Sequence, residues 1–408
     1  MIRLFIFLLI IVFHSSCSQA QPNVQPVKVS VPLEVNPNII TGAERTAQYL
    51  PLLKDKRVAV VANQTTVIGK THLVDSLLSL KVNVVKVFAP EHGFRGDAEA
   101  GATIKDGKDV KTGLPLISLY GKNKKPAADM LTDVDVLLFD IQDVGARFYT
   151  YISTMHYVME AAAENNKEVL ILDRPNPNGF YVDGPVLDLK YQSFVGMHPI
   201  PIVHGCTVGE LAGMIQGEGW LKDGKKCKLT VISCENYKHA DLYNLPIKPS
   251  PNLPNMSSVY LYPSLCWFEG TTVSVGRGTD LPFQCIGYPG NPSGKFEFTP
   301  KDIPSIATDP PHKGKLCTGH NLHEFGSFYI TSSRQLYLDW TVGLYEVCTD
   351  KSTFFNTNLF FDKLAGTDKV RKQIIAGATQ EQLRQSWHEE LAAYKKMRAK
   401  YLLYTDYE

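Results

Sequence analysis

VDVLLFD, residues 134–140, is a short, continuous apolar run that ends on an acid. Residues 150–165 follow it and have the pattern of a helix that ends in an Ala-rich stretch. EVLILD, residues 168–173, is a second apolar run. Two buried strands joined by a helix are typical of a parallel sheet that is covered on both faces. The stretch therefore predicts a βαβ unit with a right-handed crossover.

The same alternation extends from residue 57 to residue 233. The predicted strands lie at residues 57–62, 82–88, 114–119, 134–140, 168–173, 200–203 and 228–233. The predicted helices lie at residues 71–80, 150–165 and 207–217, the last with Thr207 as N-cap and Glu210 at the capping-box position. This pattern predicts an α/β fold class with a Rossmann-like, doubly wound parallel sheet. No GxGxxG motif follows the first strand, so the dinucleotide-binding fingerprint is absent.

Beyond residue 245 the sequence becomes Pro-rich and then irregular. A helix is predicted at residues 257–268, shorter mixed segments from about residue 292, and a long tail helix at residues 379–401. We predict a Rossmann-like catalytic domain at residues 41–290 and a smaller C-terminal α+β domain at residues 291–408. Residues 21–40, rich in Pro, Gln, Val and Asn, are interpreted as an N-terminal tether.

The N-terminus has the pattern of a secretory signal peptide, predicted at residues 1–20. Arg3 precedes an apolar run at residues 4–13, and small and polar residues follow. Ser18-Gln19-Ala20 is a small-x-small cleavage site, whereas Ser15-Ser16-Cys17 resembles a lipobox that would place a lipid anchor on Cys17. No other segment is long and apolar enough to cross a membrane. The expected location is therefore periplasmic or secreted.

Charge and cysteine usage exclude several function classes. The 408 residues carry a formal net charge of +1, so no field of one sign points to nucleic acid or a membrane surface as partner. The seven cysteines beyond the signal are scattered without a CxxC pair, which predicts neither a disulfide framework nor a zinc site. If a bridge forms, Cys227–Cys234 is the first pair expected. We predict no metal and no cofactor.

Polar segments follow four of the predicted strands. In an open parallel sheet, ligands bind outside the carboxyl ends of the strands. Each of these strand exits contains Gly or Pro together with charged or amide side chains: residues 90–95, 140–149, 173–179 and 204–205. Because guanidinium and amide groups suit hydroxyls and carboxylates, the four exits together predict a crevice for a polar ligand.

Each residue at the first two exits has a structural and a functional interpretation. Glu91 is either an exposed turn acid or a functional carboxylate. His92 suits an orienting or substrate-binding role better than a metal-binding one, because no HxH or HExxH pattern accompanies it. Asp140 and Asp143 either cap the following helix or face the crevice, and Arg147 either pairs with them or binds substrate.

The candidate residues later in the sequence also each have a structural and a functional interpretation. Asp173 and Arg174 form an internal ion pair or serve the site, and Asn176 serves its turn or the ligand. Glu269 follows an aromatic patch, where a carboxyl either acts as an acid with a raised pKa or caps the next segment. Arg277, between two glycines, is a turn residue or an anion clamp. Three aromatic residues pack in the core or stack on a sugar: Phe148, Tyr149 and Tyr151.

Several long motifs make the sequence resemble a known family, DUF1343, which is associated with exo-β-N-acetylmuramidases of the NamZ type. The motifs are PEHGFRGDAEAG, FDIQDVGARFYTYISTM, LDRPNPNG, VDGPVLD, HGCTVGELA, PSPNLPN, WFEGTTVSVGRGTDLPFQ and YPG. The resemblance implies a Rossmann-like domain and a smaller C-terminal domain, with the active cleft near their interface. It also implies hydrolysis of a terminal, non-reducing β-1,4-linked N-acetylmuramic acid from peptidoglycan fragments.

The resemblance also implies site residues. The family's favoured catalytic acid is the Glu of its PEHG motif, which is Glu91 in this sequence, with His92 and Arg95 as supporting neighbours. Further site candidates match other motifs of the family: Asp140, Arg147, Tyr149, Arg174, Asn176, His204, Glu269 and Arg277. Cys266-Trp267 before FEG departs from the smaller or aliphatic residues expected there, which affects the pocket lining.

Glycoside cleavage usually needs an acid and a second group at the anomeric carbon. Glu91 is the predicted acid, tuned or oriented by His92. The second group is either the substrate's own 2-acetamido group, oriented by Asp140, Tyr149 or Asp143, or the carboxylate of Glu269. Arg174 or Arg147 is the expected clamp for the lactyl carboxylate. Two alternatives remain: a non-catalytic periplasmic muropeptide-binding protein, and a metal-dependent amidase or esterase that uses His92, Asp140 and His204.

Overall fold

The computed structural model describes residues 33–91, 93–96 and 106–407. The predicted signal peptide, the lipid anchor at Cys17, the tether up to residue 32 and His92 lie outside the described residues. Twelve strands are formed in this part of the chain: β1 (Val58–Ala62), β2 (Val67–Ile68), β3 (Thr71–His72), β4 (Val84–Ala89), β5 (Gly107–Lys108), β6 (Pro115–Ser118), β7 (Val136–Asp140), β8 (Glu168–Leu172), β9 (Lys228–Ile232), β10 (Cys285–Tyr288), β11 (Phe296–Phe298) and β12 (Cys317–Asn321).

Seven strands form the central sheet, in the order β5-β6-β4-β1-β7-β8-β9. All neighbouring pairs are parallel except β5 with β6, which is antiparallel. Alternate residues of the central strands belong to two different cores: Val61 and Phe139 lie on one face, and Val60 and Leu138 lie on the other. Both faces are therefore buried, which explains the continuous apolar runs. The predicted Rossmann-like α/β fold is confirmed.

Helices cover both faces and build most of the C-terminal part. They are α1 (Thr46–Leu53), α2 (Leu73–Ser79), α3 (Tyr151–Glu164), α4 (Val208–Gly217), α5 (Met256–Leu265), α6 (His323–Phe325), α7 (Thr331–Ser333), α8 (Asp339–Val347), α9 (Phe360–Ala365), α10 (Lys369–Ile375), α11 (Gln380–Ser386) and α12 (His388–Arg398). The predicted capping box of α4 is formed: Thr207 Oγ1 accepts from the Glu210 backbone N–H, and Glu210 accepts from that of Thr207.

Two predicted elements are wrong. Residues 200–203 do not form a strand of the sheet, and Val203 makes only isolated bridges to Ala146 and Asp183. Pro199 and Pro201 explain this, since proline has no N–H to donate to a sheet ladder. The tail helix predicted at residues 379–401 is broken at Trp387, whose φ of −114° and ψ of 6° separate α11 from α12.

A smaller antiparallel sheet, in the order β10-β12-β11, lies in the C-terminal part with α8 to α12. Its first strand precedes the predicted domain boundary at residues 290/291, and the boundary stays a prediction. The tail packs back on the loop that precedes α4, because Arg398 donates to the Gly205 carbonyl oxygen from Nε and Nη2, at 3.1 and 2.7 Å.

The seven cysteines beyond the predicted signal are buried free thiols, so the expected Cys227–Cys234 bridge is not formed. Burial raises the pKa of the Cys206 thiol to about 12, as expected of a structural cysteine and not of a nucleophile. Within the described ranges, no helix has both the length and the apolar character needed to span a bilayer.

Candidate active site

A pocket opens at the carboxyl edge of the central sheet, where the exits of β4 and β7 meet loops of the C-terminal half. The exit of β4 contributes a carboxylate and that of β7 a run of aromatic residues. The lining residues are Glu91, Phe148, Tyr149, Thr150, Tyr151, Ser250, Asn252, Leu253, Tyr262, Arg277 and Phe283. Glu91 is the only carboxylate among these described lining residues.

Glu91 stands in a tight turn directly after β4. The backbone N–H of Gly93 donates to the Pro90 carbonyl oxygen at 3.1 Å, with Gly93 at a φ of +76° that favours glycine. Thr150 Oγ1 donates to Glu91 Oε2 at 3.4 Å, and the Tyr151 hydroxyl lies 3.5 Å from the Glu91 backbone oxygen. The turn therefore presents the Glu91 carboxylate to the start of α3, inside the pocket.

Tyr120 is a further neighbour of Glu91, and no motif or spacing had pointed to it. Burial raises the pKa of the Tyr120 phenol, and the charge of Glu91 and a hydrogen bond to it raise that pKa further. Burial followed by the charge of Glu91 also raises the pKa of Tyr151. Both phenols stay protonated at neutral pH, so Tyr120 can donate to the Glu91 carboxylate and Tyr151 to the Glu91 backbone oxygen.

Arg95 does not reach the pocket as a substrate ligand. Its Nε and Nη2 donate to the two oxygens of Asp109, at 2.9 and 2.8 Å, and Nη2 also lies 3.1 Å from Asp75 of α2. The guanidinium packs over Phe94 at 4.6 Å. Arg95 therefore anchors the segment that follows Glu91, and the predicted substrate-binding role is replaced by a positioning role.

Aromatic rings form one wall of the pocket. Tyr149 meets Tyr151 and Tyr262 edge-on, with ring centroids 5.0 and 5.7 Å apart. Tyr262 also packs edge-on against Phe148 and Phe283, at 5.3 and 4.9 Å. The Tyr149 hydroxyl donates to the Pro249 carbonyl oxygen at 2.8 Å, so this side chain ties the wall to the neighbouring loop. Tyr149 lines the pocket, and its substrate-binding role stays a prediction.

Arg277 is the only arginine among the described lining residues. Its Nε donates to Glu269 Oε1 at 2.5 Å, and its guanidinium lies 5.0 Å from the centroid of the Phe283 ring. Glu269 does not line the pocket and instead accepts from Arg277, with Cys266 Sγ at 3.7 Å from its other oxygen. The predicted catalytic role of Glu269 is therefore poorly supported, whereas the anion-clamp interpretation of Arg277 fits the geometry.

Asp140 and Arg174 are engaged with each other. Arg174 donates from Nε and Nη2 to the two oxygens of Asp140, at 2.5 and 2.8 Å, and neither side chain is more than 2% exposed. Nη2 also donates to the Val67 carbonyl oxygen. Burial raises the pKa of Asp140, although Arg174 opposes this. This geometry contradicts substrate contact by either residue, and Asp173 is not the partner of the Arg174 guanidinium.

Arg147 and Asn176 are also structural. Arg147 is completely buried and donates to four backbone carbonyl oxygens, those of Pro185, Ile200, Leu364 and Ala365. Asn176 Nδ2 donates to the Cys206 carbonyl oxygen at 2.8 Å, and a Cβ on Gly145 would meet the Asn176 amide at 2.1 Å. Arg147 thus ties the exit of β7 to α9 and to the segments at Pro185 and Ile200, and Asn176 ties the exit of β8 to Cys206. Neither residue lines the pocket, so their predicted substrate-binding roles are not supported.

Asp143 and His204 lie behind the pocket wall. Asp143 Oδ2 accepts from the Gly145 backbone N–H at 2.6 Å, which is a turn and not a cap of α3. His204 Nδ1 accepts from the Cys206 N–H at 3.2 Å, so a neutral ring carries its proton on Nε2, which lies 3.8 Å from Asp143 Oδ2. Both side chains are buried and neither lines the pocket, so their predicted contact with substrate is not supported.

Six lining residues were missed because nothing in their spacing marked them: Thr150, Ser250, Asn252, Leu253, Tyr262 and Phe283. Ser250 and Asn252 belong to PSPNLPN, a motif interpreted only as a Pro-rich connection. Tertiary contacts give them their position: Pro249 accepts from Tyr149, and Asn252 Nδ2 donates to the Ile306 carbonyl oxygen. The family motif itself was the only signal that could have selected this loop.

Family models match nearly the whole described chain. Residues 58–257 match the model for the N-terminal part of the exo-β-N-acetylmuramidase NamZ, and residues 260–404 match the model for its C-terminal part. The chain belongs to the NamZ family. As a member of this family the protein is a glycosidase, and the pocket takes residues from both matched parts.

Individual relatives agree with the NamZ assignment. The peptidoglycan β-N-acetylmuramidase NamZ of Bacillus subtilis is 40% identical over 394 residues, which are 90% of this chain and 92% of the relative. A crystal structure of a DUF1343 family protein from Bacteroides fragilis is 48% identical with a TM-score of 0.83, and a second from the same organism is 32% identical with a TM-score of 0.77. Each alignment covers 90% of this chain and 99% of the other.

Proposed function

We propose that this NamZ-family glycosidase is an exo-acting enzyme that releases non-reducing-end β-1,4-linked N-acetylmuramic acid from peptidoglycan fragments such as MurNAc-GlcNAc, for cell-wall turnover or salvage. The observation that carries the proposal is that one aromatic-walled pocket is lined by a single carboxylate, that of Glu91, and a single guanidinium, that of Arg277, among its described residues. A muramic acid residue offers a glycosidic oxygen to an acid and a lactyl carboxylate to a cation. The pocket contains one residue suited to each.

The aromatic wall suits a sugar ring. Pyranose rings present faces of C–H bonds that pack against the electron-rich faces of aromatic rings. Tyr149, Tyr262 and Phe283 supply such surfaces beside the hydroxyl groups of Thr150 and Ser250. Apolar walls with a few convergent polar groups are the usual composition of small-molecule sites.

Glu91 acts as the general acid in this proposal. Its protonated carboxyl gives a proton to the glycosidic oxygen as the bond from that oxygen to the anomeric carbon breaks. Thr150, Tyr120 and Tyr151 hold the side chain and the backbone of Glu91 in place. The hydroxyls of Thr150 and Tyr120 stabilise the carboxylate that forms once the proton has left.

The second group in this proposal is the substrate's own 2-acetamido group. Glu91 is the only carboxylate among the described lining residues, and Glu269 is held by Arg277 outside the lining. The acetamido oxygen attacks the anomeric carbon while the leaving oxygen takes the proton of Glu91. Water then attacks the same carbon, the bond to the acetamido oxygen breaks, and Glu91 takes a proton from the water.

Arg277 is the clamp for the lactyl carboxylate, in place of Arg174 or Arg147. It lines the pocket and is about one-fifth exposed, whereas the other two are buried and paired within the protein. A guanidinium already held by Glu269 is preorganised to receive a second carboxylate. Arg277 therefore distinguishes N-acetylmuramic acid from N-acetylglucosamine.

Incubation of the protein with MurNAc-GlcNAc, followed by NMR, tests this function. We expect equal amounts of the two free monosaccharides, with N-acetylmuramic acid appearing first as the β-anomer because participation of the acetamido group inverts the centre twice. Binding without turnover would instead support a muropeptide-binding protein. Loss of turnover with a chelator, restored by metal, would support a metal-dependent hydrolase.

Export from the cytoplasm is a further part of the proposal. Arg3, the apolar run at residues 4–13 and the small residues that follow favour a signal peptide and a periplasmic or secreted protein. The two processing routes are cleavage after Ala20 and lipidation of Cys17. Mass spectrometry of the mature N-terminus distinguishes them.

A further inference from the structure

Asn252 lines the pocket with an amide oxygen that lacks a hydrogen-bond partner. The side chain is 1% exposed, and no group in the described parts of the chain donates to its Oδ1. Buried polar atoms are almost always paired, because an unpaired acceptor has lost its water without compensation. An unpaired acceptor in the wall of a binding pocket is explained if a bound ligand donates a hydrogen bond to it.

The orientation of this amide is determined by its other end. Asn252 Nδ2 donates to the Ile306 carbonyl oxygen at 2.8 Å, and a carbonyl oxygen can only accept. The amide cannot be reversed without placing two acceptors against each other. Oδ1 is therefore an acceptor and not a donor, and it needs an N–H or O–H group from the ligand.

The loop that carries Asn252 is rigid. The Asn252 backbone N–H donates to Ser250 Oγ at 3.2 Å, and that of Leu253 donates to the Ser250 carbonyl oxygen at 3.0 Å. Pro249 directly precedes Ser250, and its carbonyl oxygen accepts hydrogen bonds from the Tyr149 hydroxyl and from Gln64 Nε2. The acceptor is consequently preorganised and not free to find another partner.

We infer that Asn252 Oδ1 accepts the N–H of the substrate's 2-acetamido group and thereby positions that group; this rests on the proposed function. An acetamido N–H is a pure donor, whereas a sugar hydroxyl is satisfied equally well by donors and acceptors. As the acetamido oxygen attacks the anomeric carbon, positive charge develops on the amide nitrogen, and an acceptor at its N–H stabilises that charge. Asn252 takes the role that the sequence assigned to Asp140, Tyr149 or Asp143.

The test measures dissociation constants by calorimetry for two ligands that differ in one group. The first is the methyl thioglycoside of N-acetylmuramic acid, and the second replaces its amide N–H with an ester oxygen. The wild-type protein should bind the amide about 10-fold to 100-fold more tightly, since a buried acceptor faces the ester without a donor. In Asn252→Ala this preference should fall to within about 3-fold of unity.

Two further variants separate recognition from folding. Asn252→Leu removes the same acceptor with a side chain of nearly the same size, so its amide preference should also fall to within about 3-fold of unity, and it decides the matter even if Asn252→Ala does not fold. Asn178 is the matched control. Like Asn252 it is buried, donates from Nδ2 to backbone carbonyl oxygens, those of Val144 and Val259, and has an Oδ1 without a hydrogen-bond partner among the described residues. Unlike Asn252, it does not line the pocket. Asn178→Ala should therefore leave the amide preference unchanged.

An undiminished amide preference in Asn252→Ala or in Asn252→Leu would overturn the inference. A protein that releases no N-acetylmuramic acid from MurNAc-GlcNAc contradicts the proposed function itself. Active wild-type protein combined with an unchanged preference in Asn252→Ala contradicts only the assignment of Asn252. The two failures are therefore distinguishable.

Discussion

Arg277 Nε lies 2.5 Å from Glu269 Oε1, and only the arginine of this pair lines the pocket. The pair is partly exposed, with about a quarter of each side chain in contact with solvent. A carboxylate that neutralises and holds an arginine is poorly placed to attack an anomeric carbon. Under the proposed function, the ion pair divides the roles that the sequence left open, with Arg277 as the ligand of the substrate's carboxylate and Glu269 as the group that orients Arg277.

Replacing Arg277 by Ala should remove selection for the lactyl group. We expect kcat/KM for MurNAc-GlcNAc to fall about 10-fold to 100-fold, because a charge-assisted contact is lost, with a much smaller fall for a substrate that lacks the lactyl group. Parallel kinetics on the two disaccharides measure this. Arg95→Ala is the matched control, since Arg95 is paired with Asp109 outside the pocket and should lower both rates together. An unchanged preference in Arg277→Ala would assign the clamp elsewhere.

Replacing Glu269 by Gln should be tolerated. The Gln side-chain oxygen still accepts from Arg277, so we expect kcat/KM to stay within about 10-fold of wild type. A nucleophile replaced by an amide typically loses at least about 10³-fold. Steady-state kinetics on MurNAc-GlcNAc decide the question. A variant as inactive as one that lacks Glu91 would make Glu269 the second catalytic group and exclude the acetamido route.

Asp173 should make folding stability depend on pH between about 4 and 6. Burial raises the pKa of this carboxyl to about 6 despite hydrogen bonds from Tyr404, Thr207 and the Gly209 N–H. The pKa of Asp173 is higher in the folded protein than in the unfolded chain. Its contribution to the free energy of unfolding is therefore fully present below pH 4 and is lost as the pH rises through 6. The loss is about 3 kcal/mol of unfolding free energy.

Asp173→Asn should remove this component. The Thr207 and Tyr404 hydroxyls can reverse and accept from the new amide, so the fold should persist. Urea unfolding of both proteins at several pH values gives the comparison, and the variant should show a flatter profile between pH 4 and 6. Parallel profiles for the two proteins would show that Asp173 titrates normally.

The sheet was predictable because its signal is local. Both faces of β1 and β7 are buried, so apolar residues run without interruption, and the helices between the strands follow their own period. The segment at residues 200–203 imitates this signal with a few apolar residues. Pro199 and Pro201 prevent it from joining a sheet ladder, so its apolar composition led to a wrong strand prediction.

The site was predictable only where strand position decides it. Glu91 follows β4 directly and faces the ligand edge, as the rule for parallel sheets requires. Asp140 and Arg174 follow the neighbouring strands β7 and β8, so they meet each other and not the ligand. Strand order is a tertiary property, which explains why the sequence did not predict the pairing of Arg174 with Asp140. Tyr120 and Asn252 lie in loops whose contacts come from distant segments and carry no periodic signal.

The measurement that tests the central claim most directly compares Glu91→Gln with wild type on two substrates with different leaving groups. MurNAc-GlcNAc needs protonation of its leaving oxygen, whereas a nitrophenyl glycoside of N-acetylmuramic acid needs little. We predict that kcat/KM falls about 10²-fold to 10⁴-fold on the disaccharide and far less on the nitrophenyl glycoside. A variant that retains wild-type activity on the disaccharide, or loses the same factor on both substrates, would contradict the role of Glu91 as the catalytic acid.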